Sequence, residues 1–380
     1  MMYRLLTYPL NVALMLSIAL ILSLLDLSYF YETPSSEDIL YILTMILSYS
    51  FIGIFLNRYR PVTKTSDSLS SLYLTFLIIS AIGFAVEFVI YGAPILLSTG
   101  RENYGGIPVL HVVFYSSSMA SVLFASLYSG KRAIAVALIC SFCISALLLS
   151  RQMMMVTFVI LILSIATRYR ITKAQWVKTA ALCVGVIFVF GLIGNIRQQL
   201  AGDYVDNYIL TVGGANSTGA VIGAVLYWPW LYIASPLYNL ILNLNNYLNF
   251  SDSCNQAIAF GSCSGDYISA VIMPNTISKY FGAQDFVIDM KMAHLNAGTA
   301  FSAAARILGG TGISIQIMLQ VVFYAIGCVL VNKKLRVAFT VYFSVLSLFM
   351  IFDNLYIHGE FFFVFVLIFI SGLYLSKKPG

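Results

Sequence analysis

Apolar blocks, each roughly 16 to 25 residues long and separated by short polar stretches, recur along this chain and constrain it more than any other feature. Such a length suits a helix crossing a hydrocarbon core about 30 Å thick. The blocks cover 5–25, 39–56, 69–91, 107–128, 133–149, 152–167, 179–194, 307–331, 337–352 and 361–375. Residues 133–167 cannot form one span, because a helix of that length would reach about 50 Å, so a hairpin turning at Ser150, Arg151 and Gln152 is expected. No small-residue cleavage site follows the first block, which reads as a retained helix and not a leader. With 60% hydrophobic and 9% charged residues, the chain lacks the polar surface of a soluble domain, where about 25% charged is ordinary. The expected fold is an all-α polytopic membrane protein with about 10 transmembrane helices (about 10–12), a single integral membrane domain over 1–380.

Basic residues are retained on the cytoplasmic side of a membrane, and here they fall in alternate loops. Arg4, Arg58, Arg60, Lys64, Lys131, Arg132, Arg168, Arg170, Lys173, Lys178, Lys333, Lys334, Arg336, Lys377 and Lys378 all lie on one side of the implied topology. That topology is expected to place both termini in the cytoplasm. The net charge of +6 is then a topology signal, and no nucleic-acid partner is implied.

Residues 195–306 form a large extracytoplasmic region in this topology. Its apolar part, 219–250, holds Trp228-Pro229-Trp230, Ser235-Pro236 and Asn239, Asn243, Asn245 and Asn246. Trp and Tyr favour the headgroup region and Pro interrupts helices, so an interface-lying amphipathic or re-entrant pair of helices is expected. A pair of true spans is the rival reading. Cys254 and Cys263 are a candidate disulfide if the compartment is oxidising. Cys140 and Cys143 form a CxxC inside an apolar block with no metal ligand nearby and read as packing. The absence of Walker, Rossmann and HExxH patterns removes nucleotide hydrolysis and zinc-helix proteolysis.

Four arginines fall on the outer side near span boundaries: Arg101, Arg151, Arg197 and Arg306. A guanidinium near hydrocarbon costs about 2.5–3.5 kcal/mol on insertion scales, and its planar fork grips phosphate oxygens in pairs. Each can snorkel to lipid headgroups, but their shared depth points to a common anion, a lipid pyrophosphate. His294, before a glycine cluster at Gly309, Gly310 and Gly312, is a candidate general base; taken alone it also reads as a solvated loop residue. Glu87 lies inside an apolar block, where a carboxylate needs a partner or a wet cavity. No metal or other cofactor is called for, since pyrophosphate leaves readily.

The chain resembles the Wzy-type oligosaccharide repeat-unit polymerases that build bacterial O-antigens and related surface polysaccharides. The resemblance rests on Ala93-Pro94-Ile95 with Arg101, Leu149-Ser150-Arg151 and Gly194-Asn195-Ile196-Arg197. It continues through Tyr232 with Ser235-Pro236-Leu237-Tyr238-Asn239-Leu240, then Asn296, Thr299, Phe301 and the 309–312 cluster. It implies a glycosyltransferase on the periplasmic face that uses an undecaprenyl-pyrophosphate-linked oligosaccharide as donor and no nucleotide sugar. A chain-length-regulator protein is a further implied partner. Arg101, Arg151, Arg197 and Arg306 would hold the pyrophosphate, His294 would take the acceptor proton, and Tyr232, Asn239, Asn296 and Thr299 would hold glycan or lipid. His294-Leu295-Asn296 departs from the His-Asn motif of O-antigen ligases. A ligase would share most of this architecture, and a lipid-linked oligosaccharide flippase is the other alternative, although no repeated halves are visible.

Overall fold

In a bilayer every backbone N–H and C=O must be satisfied within the chain, which favours helices wherever a long apolar block occurs. The computed structural model describes residues 2–56, 69–96, 104–169, 208–247, 262–281, 286–292 and 297–377, with isolated positions between 172 and 185. The longer helices are α1 (Leu10–Ser23), α2 (Ser36–Leu56), α3 (Leu72–Tyr91), α4 (Leu110–Tyr128), α5 (Lys131–Leu147), α6 (Arg151–Arg168), α7 (Ala224–Asn245), α8 (Ser302–Leu330), α9 (Arg336–Leu348) and α10 (Gly359–Lys377). Six of them, α2, α3, α4, α6, α8 and α10, are long and apolar enough to cross a membrane, and α1 and α9 are shorter apolar helices. Among the described residues there is no β-strand, only an isolated bridge between Ser28 and Ala215. The chain is thus an α-helical, membrane-embedded protein. The block at 179–194 falls almost wholly outside the described residues.

α4 sits against α3, α5, α6 and α10, and every residue from Tyr115 to Tyr128 is buried. Lipid tails are as apolar as leucine, so the centre of such a bundle goes to the helix whose small residues let backbones approach. α4 supplies Ser116, Ser117, Ser118, Ser121 and Ser126. The Ser118 hydroxyl donates to Ser141 on α5 at 2.9 Å, and Ser141 pairs with Thr157 on α6 at 3.3 Å. α2, by contrast, turns Leu40, Leu47, Phe51 and Ile54 outward.

Three boundaries differ from the sequence expectation. Pro9, which has no N–H to donate, separates a short turn at Met2–Leu5 from α1, so the first block is interrupted and not continuous. The α5–α6 turn lies at 148–150, with Leu149 at φ 53°. The Ser150 side chain caps α6 by accepting the Met153 N–H, and Arg151 and Gln152 become its first helical residues. Within 219–250 the break between helices falls at Gly223, with a short helix at Ser217–Ile222 before it and the unbroken Ala224–Asn245 helix, which accommodates Pro229 and Pro236, after it.

α7 packs on the tips of α1 and α2. Trp230 Nε1 donates to the Leu22 carbonyl at 2.8 Å, Tyr238 Oη to the Ser23 carbonyl at 2.5 Å, and Asn245 approaches Asp38 at 3.5 Å. Trp230 and Asn245 are about 22 Å apart along a helix, yet both touch the same tips of α1 and α2. The helix therefore lies across the end of the bundle. Beneath and around it, Leu27, Tyr31, Ile209, Tyr227, Trp228 and Leu231 make a second aromatic-rich core.

α8 folds back on itself. The Gln316 side-chain amide donates to the Ala300 carbonyl at 2.9 Å, and a Cβ at Gly312 would lie 2.3 Å from the Ala304 carbonyl. In a straight helix Ala304 and Gly312 would be about 12 Å apart. Gly309 makes the reversal with φ 58° and ψ −143°, which a side chain would resist. A Cβ there would also meet the Tyr247 ring at 2.7 Å, so the glycine cluster serves this turn and its packing on Tyr247. The reversal at Gly309 lays residues 302–308 alongside the segment that follows it.

Candidate functional site

The two ends of the bundle have opposite character. At one, Lys131, Arg132, Arg168, Lys333, Lys334 and Arg336 gather where α4 meets α5, α6 ends and α8 meets α9. Arg168 donates to the Ser126 and Ser129 carbonyls, and Tyr128 donates to the Lys334 carbonyl at 3.1 Å. At the other end, under α7, stand Asp26, Glu37, Asp38, Asp289 and Arg306. The start of α6 and the turn into α10 face the same way.

Here two asparagines one helical turn apart on α7 act as clamps on passing backbone. Asn243, fully buried, donates to the Asp289 carbonyl at 2.8 Å and accepts the Asp289 N–H at 2.9 Å. Asn239, also fully buried, donates to the Ala297 carbonyl at 2.8 Å and accepts the Lys291 N–H at 3.0 Å. A side-chain amide matches a peptide's donor and acceptor, so the ladder holds the backbone at Asp289, Lys291 and Ala297 as a neighbouring strand would. This places the Asp289 carboxylate against Arg306 at 3.1 Å and against the Asn246 amide. Arg306 also donates to the Asn246 carbonyl at 3.3 Å.

Two histidines form carboxylate pairs at the neighbouring helix tips. Glu87, fully buried in α3, takes His111 Nδ1 at 2.8 Å, the Tyr104 hydroxyl at 2.9 Å and the Ile107 N–H at 3.0 Å. The partner that a carboxylate in an apolar block requires is therefore His111. His358 Nε2 lies 3.0 Å from Asp353, which Gln152 of α6 approaches at 3.4 Å. Burial alone would lower the His358 pKa, but the Asp353 bond and charge, with Glu360, outweigh it and hold it above the ordinary histidine value.

Of the residues singled out in the sequence, Arg101, Arg197, His294, Asn296 and Cys254 lie outside the described residues, as does the Cys263 side chain. Arg151 is exposed at the first position of α6, beside Gln152. Arg306 is held by other elements, α7 and Asp289. The two described arginines thus face the same end in separate clusters. Tyr232 is half-buried against Trp228, with ring centroids 5.3 Å apart. Asn239 is a backbone clamp, and Thr299 pairs with Ser302 at 3.1 Å while accepting the Phe301 N–H.

His111, Asp353 and His358 were not anticipated. His111 is 24 residues from Glu87 across a loop, so no helical spacing announces the pair. The one available signal was that both histidines stand at the edge of an apolar block near a carboxylate. An apolar groove of about 480 Å³ lies between the start of α4, the start of α10 and residues 274–280, lined by Val109, Val112, Ile277, Tyr280, Phe362 and Lys279 among others. Among the described residues no three of His, Cys, Asp and Glu gather as metal ligands would. Compared with protein-family models, with curated proteins and with solved structures, the chain matches none.

Proposed function

We propose that the chain is a polymerase of lipid-linked oligosaccharide repeat units, a Wzy-type glycosyltransferase of the bacterial inner membrane. Its basic end faces the cytoplasm with both termini, about ten helices cross the bilayer, and the end under α7 opens to the periplasm. The single observation that carries this reading is Arg306: a guanidinium at the end opposite the basic cluster, oriented by Asp289 and the Asn246 carbonyl. Asp289 fixes the direction of this guanidinium, and a guanidinium's planar fork suits the paired oxygens of a pyrophosphate.

In this reading Arg306 holds the donor pyrophosphate, and Arg151, Arg101 and Arg197 are the further arginines assigned to it on the sequence. Developing negative charge on the leaving pyrophosphate is stabilised as the bond to the anomeric carbon breaks. The apolar groove beside Lys279 offers room for part of an isoprenoid chain, and the aromatic segment of α7 offers faces on which sugars stack. The motif order quoted above supports the same assignment.

In cells whose own polymerase is deleted, Arg306→Ala and Arg151→Ala should reach the membrane at wild-type abundance yet leave surface glycan as single repeat units. Normal ladders from both variants would remove the proposal.

A further inference from the structure

His111 connects to Arg151 through a short, continuous set of contacts. Its ring centroid is 5.9 Å from that of Tyr115, the Tyr115 hydroxyl pairs with Ser150 at 2.9 Å, and Ser150 caps the helix that Arg151 begins. Phe361 closes the other side, with its centroid 5.7 Å from Tyr115 and 6.3 Å from His358. Glu87 is shut off from water, whereas the His111 side chain keeps 15% of its surface open.

A carboxylate only accepts hydrogen bonds, so Glu87 holds a proton on Nδ1 of His111, and in the neutral ring that arrangement leaves the lone pair on Nε2. The Tyr104 hydroxyl and the Ile107 N–H complete the carboxylate's coordination and stop it rotating. As pure helix glue, Glu87 would need any donor; an imidazole held in one tautomer, and joined through Tyr115 and Ser150 to the helix that Arg151 begins, is an arrangement suited to moving a proton.

We infer that His111 is the proton acceptor of the transferase reaction and that Glu87 is its positioning residue, an inference that rests on the proposed polymerase reading. The acceptor sugar's hydroxyl gives its proton to Nε2 as its oxygen bonds to the donor's anomeric carbon. The bond from that carbon to the pyrophosphate oxygen breaks, and the lipid pyrophosphate leaves with the electron pair. The proton passes from Nε2 to water, restoring the neutral ring. His294 is then released from this role.

The test uses purified full-length protein in vesicles with lipid-linked repeat units. His111→Ala should slow elongation about 10²- to 10⁴-fold, the usual contribution of general base catalysis, and added imidazole should restore part of it. Glu87→Gln keeps the bond but offers an amide donor, which turns the ring to the other tautomer, so it should be impaired nearly as strongly. Carbethoxylation by diethyl pyrocarbonate, located by mass spectrometry, reads the free Nε2 without any turnover: His111 should react in wild type and far more slowly in Glu87→Gln. If wild type makes no polymer, the polymerase reading fails, while the labelling still reports on the acceptor nitrogen. Unmodified His111 in wild type, or a normally elongating His111→Ala, would overturn the inference.

Discussion

Among the described residues of the basic end, Arg168 is satisfied by the carbonyls that end α4 and follow it. At the opposite end α7 lies across the bundle, α8 doubles back, and charged groups are satisfied by side chains from distant parts of the chain. The same residue type, arginine, is served by local backbone in one place and by Asp289, held on a ladder of buried amides, in the other. Backbone carbonyls at a helix end come free with the fold, whereas the amide ladder commits buried polar groups that destabilise the protein unless every bond is made. Buried serines and Asn11 bond elsewhere in the bundle, but among the described residues only under α7 is a buried amide ladder coupled to an ion pair, as a site there would require.

The contrast can be broken most severely at Asn243. Asn243→Leu removes both bonds to the Asp289 backbone and strands an N–H and a C=O, at a cost of roughly 2–4 kcal/mol; thermal unfolding in detergent should show a loss far larger than for any basic-end variant. Next comes the ion pair, whose members keep 20% and 35% of their side-chain surface. A double-mutant cycle of Asp289→Ala with Arg306→Gln should give a coupling of about 1 kcal/mol, and a coupling near zero would mean that Asp289 does not orient the arginine. Smaller again is the effect at His358. Its pKa is raised on folding, so the Asp353 pair contributes fully below the ordinary value of 6.5 and fades as pH climbs through the folded-state value. The Tm gap between wild type and His358→Gln should be wider at low pH than at high pH; the reverse order would contradict the pairing. Least of all, Arg168→Gln should cost about 0.5 kcal/mol, in keeping with a cation at helix carbonyl ends.

Much of this architecture was legible beforehand. Hydrophobic block length located nearly every long helix to within a few residues, because a bilayer imposes that length on any crossing helix. The segregation of Lys and Arg into alternate loops reappears as one basic end of the bundle, and the Trp and Tyr content of 224–245 marked an element that lies across a tip. Long-range pairing was not legible. Arg306 with Asp289 and Glu87 with His111 join segments whose separation carries no period, so residue type could nominate Glu87 as needing a partner without naming it. Gly309, Gly310 and Gly312 signalled close backbone approach, but glycine permits a reversal without specifying one, and the neighbours proved to be Tyr247, Tyr41 and the Ala304 carbonyl.

The most direct measurement sets the two ends against each other in one assay. Wild type, Arg168→Gln and Arg306→Gln are reconstituted in vesicles with lipid-linked repeat units, and the products are resolved by length. The account predicts ladders from wild type and Arg168→Gln and single units from Arg306→Gln. Elongation by Arg306→Gln, or its loss in Arg168→Gln alone, would contradict it.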